Sequence, residues 1–307
     1  MPTLPIPSLA DLVHLLPLLA FGLALFFGSL VLLIAHRLTH PPRRTYGWAV
    51  AKNRPGTPGE LDEPVAFEER TERHAGRSIL LWEIEGLRAG GPVIVLTHGW
   101  GESRIHALDR LSTARAAASR VIAWDMPGHG DSPGRTSLGS REAAALCSLA
   151  RSVRTDRTVV LWGWSLGAEV TLRAAAALQR TGTGVDAVVI ESAFRKGTTP
   201  ARAVMRGAGY PGGRTLDTAL LLVGALGARP FDRFGDLVRT ATAISGTPIL
   251  AVHGAHDTVS PIADGRAIAE ATGGEIAEFN AGHSDLWTGA HADAVGDRVG
   301  RFLAEST

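Results

Sequence analysis

Six short apolar runs, separated by helix-like segments, constrain the fold of this chain more than any other feature. They are "PVIVLT" (92–97), "RVIAWD" (120–125), "TVVLWG" (158–163), "DAVVIE" (186–191), "PILAVH" (248–253) and "EIAEF" (275–279). Short runs rich in β-branched residues read as strands buried on both faces. Between them, segments at about 104–118, 139–154, 166–180, 261–272 and 285–303 are rich in Ala, Leu, Arg and Glu and read as helices. Strand and helix alternating in this way imply a mostly parallel sheet with helices on both faces. Upstream, "VAFEER" and "SILLWEIEG" show partial period-two alternation, which suits an antiparallel pair at the sheet edge. Open sheets of this class bind ligands just beyond the C-terminal ends of their strands. Functional residues are therefore expected in the loops that follow the apolar runs.

The N-terminus obeys a different rule. Between Asp11 and Arg37 no residue carries a formal charge, and in "LLPLLAFGLALFFGSLVLLIA" (15–35) Ser29 is the only polar side chain. Twenty-one helical residues span about 31 Å, enough to cross the hydrocarbon core of a bilayer. A cleaved signal peptide fits less well, because no Lys or Arg precedes the run and no clear A-x-A site follows it. Residues 1–36 are therefore expected to be a transmembrane anchor. Arg37, Arg43 and Arg44 follow the span and only Asp11 precedes it, which places the C-terminal domain on the cytoplasmic side. Residues 37–64 hold five prolines and several glycines, the composition of a tether, so a folded domain is expected over 65–307.

Composition narrows the partners. The formal net charge is +1, so no global field draws the chain to nucleic acid. Cys147 is the only cysteine, which rules out an intrachain disulfide and a thiolate metal cluster.

Three strand ends carry the chemistry. Gly163-Trp164-Ser165-Leu166-Gly167 matches G-x-S-x-G, a pattern of limited weight in a chain with 36 glycines. Its position gives it weight: Ser165 follows the run "TVVLWG" and precedes the helical run "LGAEVTLRAAAAL". A serine at so sharp a strand-to-helix turn is strained and projects its hydroxyl above the sheet. A serine nucleophile needs a base and an orienting carboxylate. Asp257 follows "PILAVH" and His283 follows "EIAEF", each ahead of a helix. The order Ser165, Asp257, His283 is the Ser…Asp…His order of one hydrolase architecture. Preplaced donors for a developing oxyanion are expected from the backbone N–H groups of Trp100, in the glycine-rich turn after "PVIVLT", and of Leu166.

With these landmarks together, residues 65–307 resemble the α/β-hydrolase family. The matching stretches are "HGWGES" (98–103), "DMPGHGDS" (125–132), "GWSLG" (163–167), "HGAHD" (253–257) and "GHS" (282–284). "DMPGHGDSPGR" with downstream "LGSRE" is most similar to bacterial monoacylglycerol-lipase and serine-aminopeptidase relatives. The resemblance implies Ser165 as nucleophile, His283 as base, Asp257 as acid, and an oxyanion hole from Trp100 and Leu166. Some family members carry the acid one strand earlier, where this chain has Glu191, so Glu191 stands as the alternative to Asp257. His256 and His291 are the alternatives to His283. His98, Asp125 and His129 are expected to shape loops, and Ser103 and Ser132 to form turns.

A serine at the elbow favours acyl transfer over the carboxylate-nucleophile reactions of other family members. The expected activity is hydrolysis of a carboxylic ester, thioester or amide through an acyl-enzyme, with no cofactor or metal. Acyl transfer to an alcohol or amine shares that intermediate, and a membrane-anchored binding or scaffold protein is the non-catalytic alternative. Residues 194–246 interrupt the strand pattern and are expected to form a small helical cap. Its run "LDTALLLVGALGA" either packs on the domain or lines an acyl site. The anchor associates the chain with small-molecule or lipid acyl substrates.

Overall fold

The computed structural model describes residues 9–154, 158–226 and 236–307, with side chains from residue 13. A single sheet of eight strands has the order β1-β2-β4-β3-β5-β6-β7-β8. The strands are β1 (Phe67–His74), β2 (Arg77–Glu85), β3 (Val93–Thr97), β4 (Arg120–Trp124), β5 (Val159–Trp164), β6 (Ala187–Glu191), β7 (Ile249–Gly254) and β8 (Glu275–Phe279). β1 and β2 pair antiparallel, β2 runs antiparallel to β4, and every other pairing is parallel. All six apolar runs are strands, and the two upstream runs form the antiparallel edge. β8 departs from the reading of a strand buried on both faces: Glu275 and Glu278 are exposed, as befits the other edge of the sheet.

Alternate residues of the central strands supply two cores. Val93, Val95, Leu161, Val188 and Ile190 face helices α4 (Ser140–Val153) and α5 (Leu166–Arg180). Ile94, Leu96, Val160, Trp162 and Val189 face α3 (Leu111–Ala117) and α10 (Ala292–Ser306). Period-two burial on both faces explains why these runs are continuously apolar.

Helix α1 (Leu9–Thr39) contains the apolar N-terminal stretch, and Val13–Thr39 is long and apolar enough to cross a membrane. From Val13 to Ser29 every residue is exposed. In the last two turns one face is covered: Ile34, Ala35 and Leu38 are buried against α6 (Thr198–Gly207) and α7 (Arg214–Leu226). Leu216, Ala219, Leu220 and Val223 form the matching stripe on α7, at the spacing of one helix face. The run "LDTALLLVGALGA" therefore packs on α1, and its last two residues lie outside the described ones.

Two segments differ from their compositional reading. Residues 40–65 do not hang free. α2 (Tyr46–Ala51) stacks Trp48 on His106, with ring centroids 5.1 Å apart. The Arg43 guanidinium donates to the carbonyls of Gly130 and Ser132 at 3.0 and 2.8 Å, and Arg54 pairs with Asp109. Proline and glycine content reports local stiffness and freedom of the backbone but not these docking contacts. Within 194–246, α6 and α7 form the cap, whereas α8 (Leu237–Ala241) packs Leu237 and Ala241 into the main core. Residues 227–235 of that segment lie outside the described ones.

Candidate active site

β5 ends at Trp164 and α5 begins at Leu166, so one residue makes the turn. That residue, Ser165, has φ 54° and ψ −118°, a conformation that strains any residue with a Cβ. Its N–H donates to the Glu191 carbonyl at 2.9 Å, which ties the turn to β6. The flanking glycines are needed because the chain passes so close to itself. A Cβ on Gly163 would lie 2.3 Å from the Gly167 carbonyl oxygen, and one on Gly167 would lie 2.0 Å from that of Thr97. The start of α5 is thus pressed against the end of β3.

The loops after β7 and β8 deliver the other two residues. Asp257 Oδ1 accepts from the N–H groups of Val259 and Ser260 at 2.8 and 2.7 Å. Asp257 Oδ2 lies 2.8 Å from His283 Nδ1, and His283 Nε2 lies 2.9 Å from Ser165 Oγ. An ionised carboxylate only accepts, so Nδ1 carries the proton and Nε2 is left to accept from the serine hydroxyl. Burial raises the Asp257 carboxyl, but the hydrogen bond and charge of His283 and the two backbone donors outweigh it and hold the group below its ordinary range. The structure brings Ser165, His283 and Asp257 into one hydrogen-bonded chain.

Gly99 places the turn after β3 beside the serine: a Cβ there would be 3.4 Å from Ser165 Cβ. Among the described residues, neither the Trp100 nor the Leu166 N–H donates to a protein acceptor. For Leu166, the first residue of a helix, a free N–H is the rule. The indole of Trp100 donates instead to the Leu38 carbonyl, at 2.9 Å. His98 underpins this turn: Nδ1 donates to the Gly99 carbonyl at 2.8 Å and Nε2 accepts from Met126 N–H at 3.0 Å. Burial holds His98 well below its ordinary value, so it stays neutral and can serve both roles.

The other candidates are engaged elsewhere. Glu191 is fully buried and receives Arg110 through Nε at 3.0 Å and Nη2 at 2.5 Å, with Trp162 and Trp287 also donating to it. His256 Nε2 meets Asn280 Oδ1, and His291 Nε2 donates to the Asp285 carbonyl. His291 closes a short 3-10 turn ahead of α10, one residue outside the helix that sequence periodicity assigned to it. Ser132 Oγ bridges the Asp125 carbonyl and the Leu80 N–H, which ties the loop after β4 to β2 in addition to any turn role. Asp125 is buried against Arg104 and accepts from the Arg104 and Asp131 N–H groups.

A cavity of about 430 Å³ contains Ser165 and His283. Of its lining, Leu38, Trp100, Leu138, Ala201 and Val204 belong to one packed apolar cluster. Arg44, Arg54, His106, Asp109 and Arg110 form a charged group, in which Arg44 meets His106 and Arg54 pairs with Asp109. Sequence reasoning missed Glu102, whose carboxylate accepts from Trp164 Nε1 and from Gly99 N–H. Burial raises this group, yet His106, the Trp164 hydrogen bond and Arg110 together bring it down to about 2. An acidic residue inside the glycine-rich "HGWGES" turn was its only sequence signal. The contributions of Leu38, Arg44 and Arg54 had none, since all three come from the segment read as a tether, 37–64.

The α/β-hydrolase family model matches residues 94–298, which is most of the chain. The chain belongs to the α/β-hydrolase family. Among curated relatives of this chain, human protein ABHD12B is 37% identical over 119 residues, 37% of this chain and 32% of that protein. The pimeloyl-[acyl-carrier protein] methyl ester esterase of Neisseria meningitidis serogroup A is 39% identical over 83 residues, 27% of this chain and 25% of that enzyme. The chain thus spans about a third or less of the length of these relatives. In structure it is similar to the Pyrococcus furiosus esterase Pf2001, with a TM-score of 0.66, 18% identity, and 87% of this chain and 99% of that one covered. A bacterial membrane phospholipase A aligns over 97% of this chain and 99% of its own, with a TM-score of 0.58 and 19% identity. At these identities the structural likenesses bear on the fold.

Proposed function

We propose that this protein is a membrane-anchored serine hydrolase that cleaves a carboxylic ester, thioester or amide through an acyl-enzyme. Ser165 is the nucleophile, His283 the general base and acid, and Asp257 the residue that fixes the His283 tautomer and stabilises its charged form. Attack of Ser165 Oγ on the substrate carbonyl passes its proton to His283 Nε2. The oxyanion is held by the N–H groups of Trp100 and Leu166. His283 then gives the proton to the leaving group, and a water activated by His283 releases the acid and regenerates the serine. The strain at Ser165 supports this reading, because a turn with φ 54° is maintained where the hydroxyl must be presented. Residues 1–36 form the anchor, 37–64 the connection and 65–307 the hydrolase domain, held on the cytoplasmic side by the arginines after the span.

The observation that carries the proposal is the hydrogen-bonded chain from Ser165 Oγ through His283 to Asp257, at 2.9 and 2.8 Å. The test is labelling of the purified full-length protein with a fluorophosphonate probe, beside Ser165→Ala. Labelling of the first and not the second is expected, together with turnover of p-nitrophenyl esters. A folded protein that neither labels nor hydrolyses any ester from acetate to palmitate would overturn it.

A further inference from the structure

We propose that the last turn of α1 is a wall of the acyl-chain site, with Leu38 as the residue that sets chain-length preference. This rests on the serine-hydrolase reading. A helix that only anchors a domain has no reason to bury side chains where it leaves the bilayer. Here every residue from Val13 to Ser29 is exposed, and then Ile34, Ala35 and Leu38 are 0%, 6% and 2% exposed. Their partners are the cap helices, and the cluster they form runs on into the cavity through Leu38, Trp100, Leu138, Ala201 and Val204.

The apolar and the charged parts of the lining differ enough to orient a substrate. An acyl chain laid over Arg44, Arg54 and Asp109 would strip water from partly exposed charged groups and offer them no hydrogen bond in its place. Placed against Leu38 it meets apolar surface, where each buried methylene favours binding about fourfold. The acyl group therefore lies toward α1 and the cap, and the leaving group toward the arginines.

Register makes Leu38 a specificity residue and more than a lining one. The Trp100 indole N–H donates to the Leu38 carbonyl, so the residue proposed to hold the oxyanion also fixes the wall. From the other side Thr136 N–H donates to the Thr39 carbonyl at 3.1 Å. Leu38 thus stands at a set distance from the reacting carbonyl. It lies nine positions after Ser29, about 14 Å of helix. A chain drawn from the bilayer along α1 reaches the site over a short path.

The experiment uses the full-length protein in detergent, with Leu38→Trp, Leu38→Ala and, on the exposed face of α7, Leu221→Ala. Turnover of p-nitrophenyl esters from acetate to palmitate is read as the ratio of kcat/KM for palmitate to that for acetate. Labelling rates with short- and long-alkyl fluorophosphonates give a second ratio. Leu38→Trp is expected to lower both ratios at least tenfold, Leu38→Ala to move the optimum to longer chains, and Leu221→Ala to leave the profile as in the wild type. Variants that label normally but keep the wild-type profile would overturn the assignment of Leu38 while the serine-hydrolase reading stands. A shift in Leu221→Ala as large as in Leu38→Trp would also overturn it. Should Leu38→Trp fail to fold, Leu38→Ala decides alone. A wild type that does not label would sink the reading and the inference together.

Discussion

Arg110 grips Glu191 through two guanidinium nitrogens, and its Cζ lies 3.8 Å from the centroid of the Trp164 ring. Glu191 ends β6, the position at which an alternative catalytic acid was open, and this pairing gives it a different task. Its carboxylate is fully used by Arg110, Trp162 and Trp287, and its carbonyl holds the Ser165 N–H. Glu191 therefore positions the elbow. Replacing it with Ala leaves Arg110 buried and unpaired, a loss of about 3–5 kcal/mol. Urea denaturation measures this, and an unchanged midpoint would contradict it.

Asp257→Asn has the opposite signature. The amide can donate to His283 Nδ1 and so favours the wrong tautomer. We expect kcat to fall about 10⁴-fold. Asp257 also accepts from Val259 and Ser260, and the amide oxygen can keep those bonds, so circular dichroism should be unaltered. An activity loss below tenfold would return the role of the acid to another residue.

Gly167 tests the closeness of α5 to β3. A methyl group there meets the Thr97 carbonyl oxygen at 2.0 Å and the His98 carbonyl oxygen at 2.6 Å, both backbone. Gly167→Ala is expected to cost about 1–3 kcal/mol through the shift this forces. A thermal melt indistinguishable from wild type would show that the turn has more room than the geometry allows.

Acid weakens this fold through its buried histidines. Burial brings His129 down to about 4 and His98 well below its ordinary value, so both are neutral when folded and take up protons near pH 6.5 when unfolded. A depressed folded pKa gives stability that is complete above the unfolded value and is lost as pH falls toward the folded one. For His129 this amounts to about 2 kcal/mol between pH 7.5 and 5. The urea midpoint is expected to fall over that interval, with a shallower slope in His129→Gln. Parallel profiles would contradict it.

The connection 40–65 should resist proteolysis. Arg43 is held by carbonyls of the loop after β4, and Arg54 by Asp109. Arg44 meets His106 Nε2 at 2.8 Å, so limited trypsin digestion of the folded protein is expected to spare the Arg43–Arg44 and Arg44–Thr45 bonds for longer than a free tether would survive. Rapid release of the domain at either bond would show that the segment hangs loose.

The sheet and the order of the site were legible because both are written in local pattern. Runs such as "TVVLWG" and "DAVVIE" are apolar at every position because both faces of a central strand are covered, and that demand falls on each residue singly. Ser165, Asp257 and His283 could be placed for the same reason, each standing where such a run stops. What separates Asp257 from Glu191 is not local: Arg110, 81 residues from Glu191, reaches that carboxylate, while Asp257 meets His283. Likewise the prolines of 37–64 describe a stiff chain, and only the packed molecule shows Trp48 stacked on His106 and Leu38 against the cap. Period and turn chemistry placed the strands, the long apolar helix and the serine turn, since these depend on neighbours in the chain. Which carboxylate is free, and what walls the cavity, depended on side chains far apart in sequence meeting in space, and the tertiary structure alone decided them.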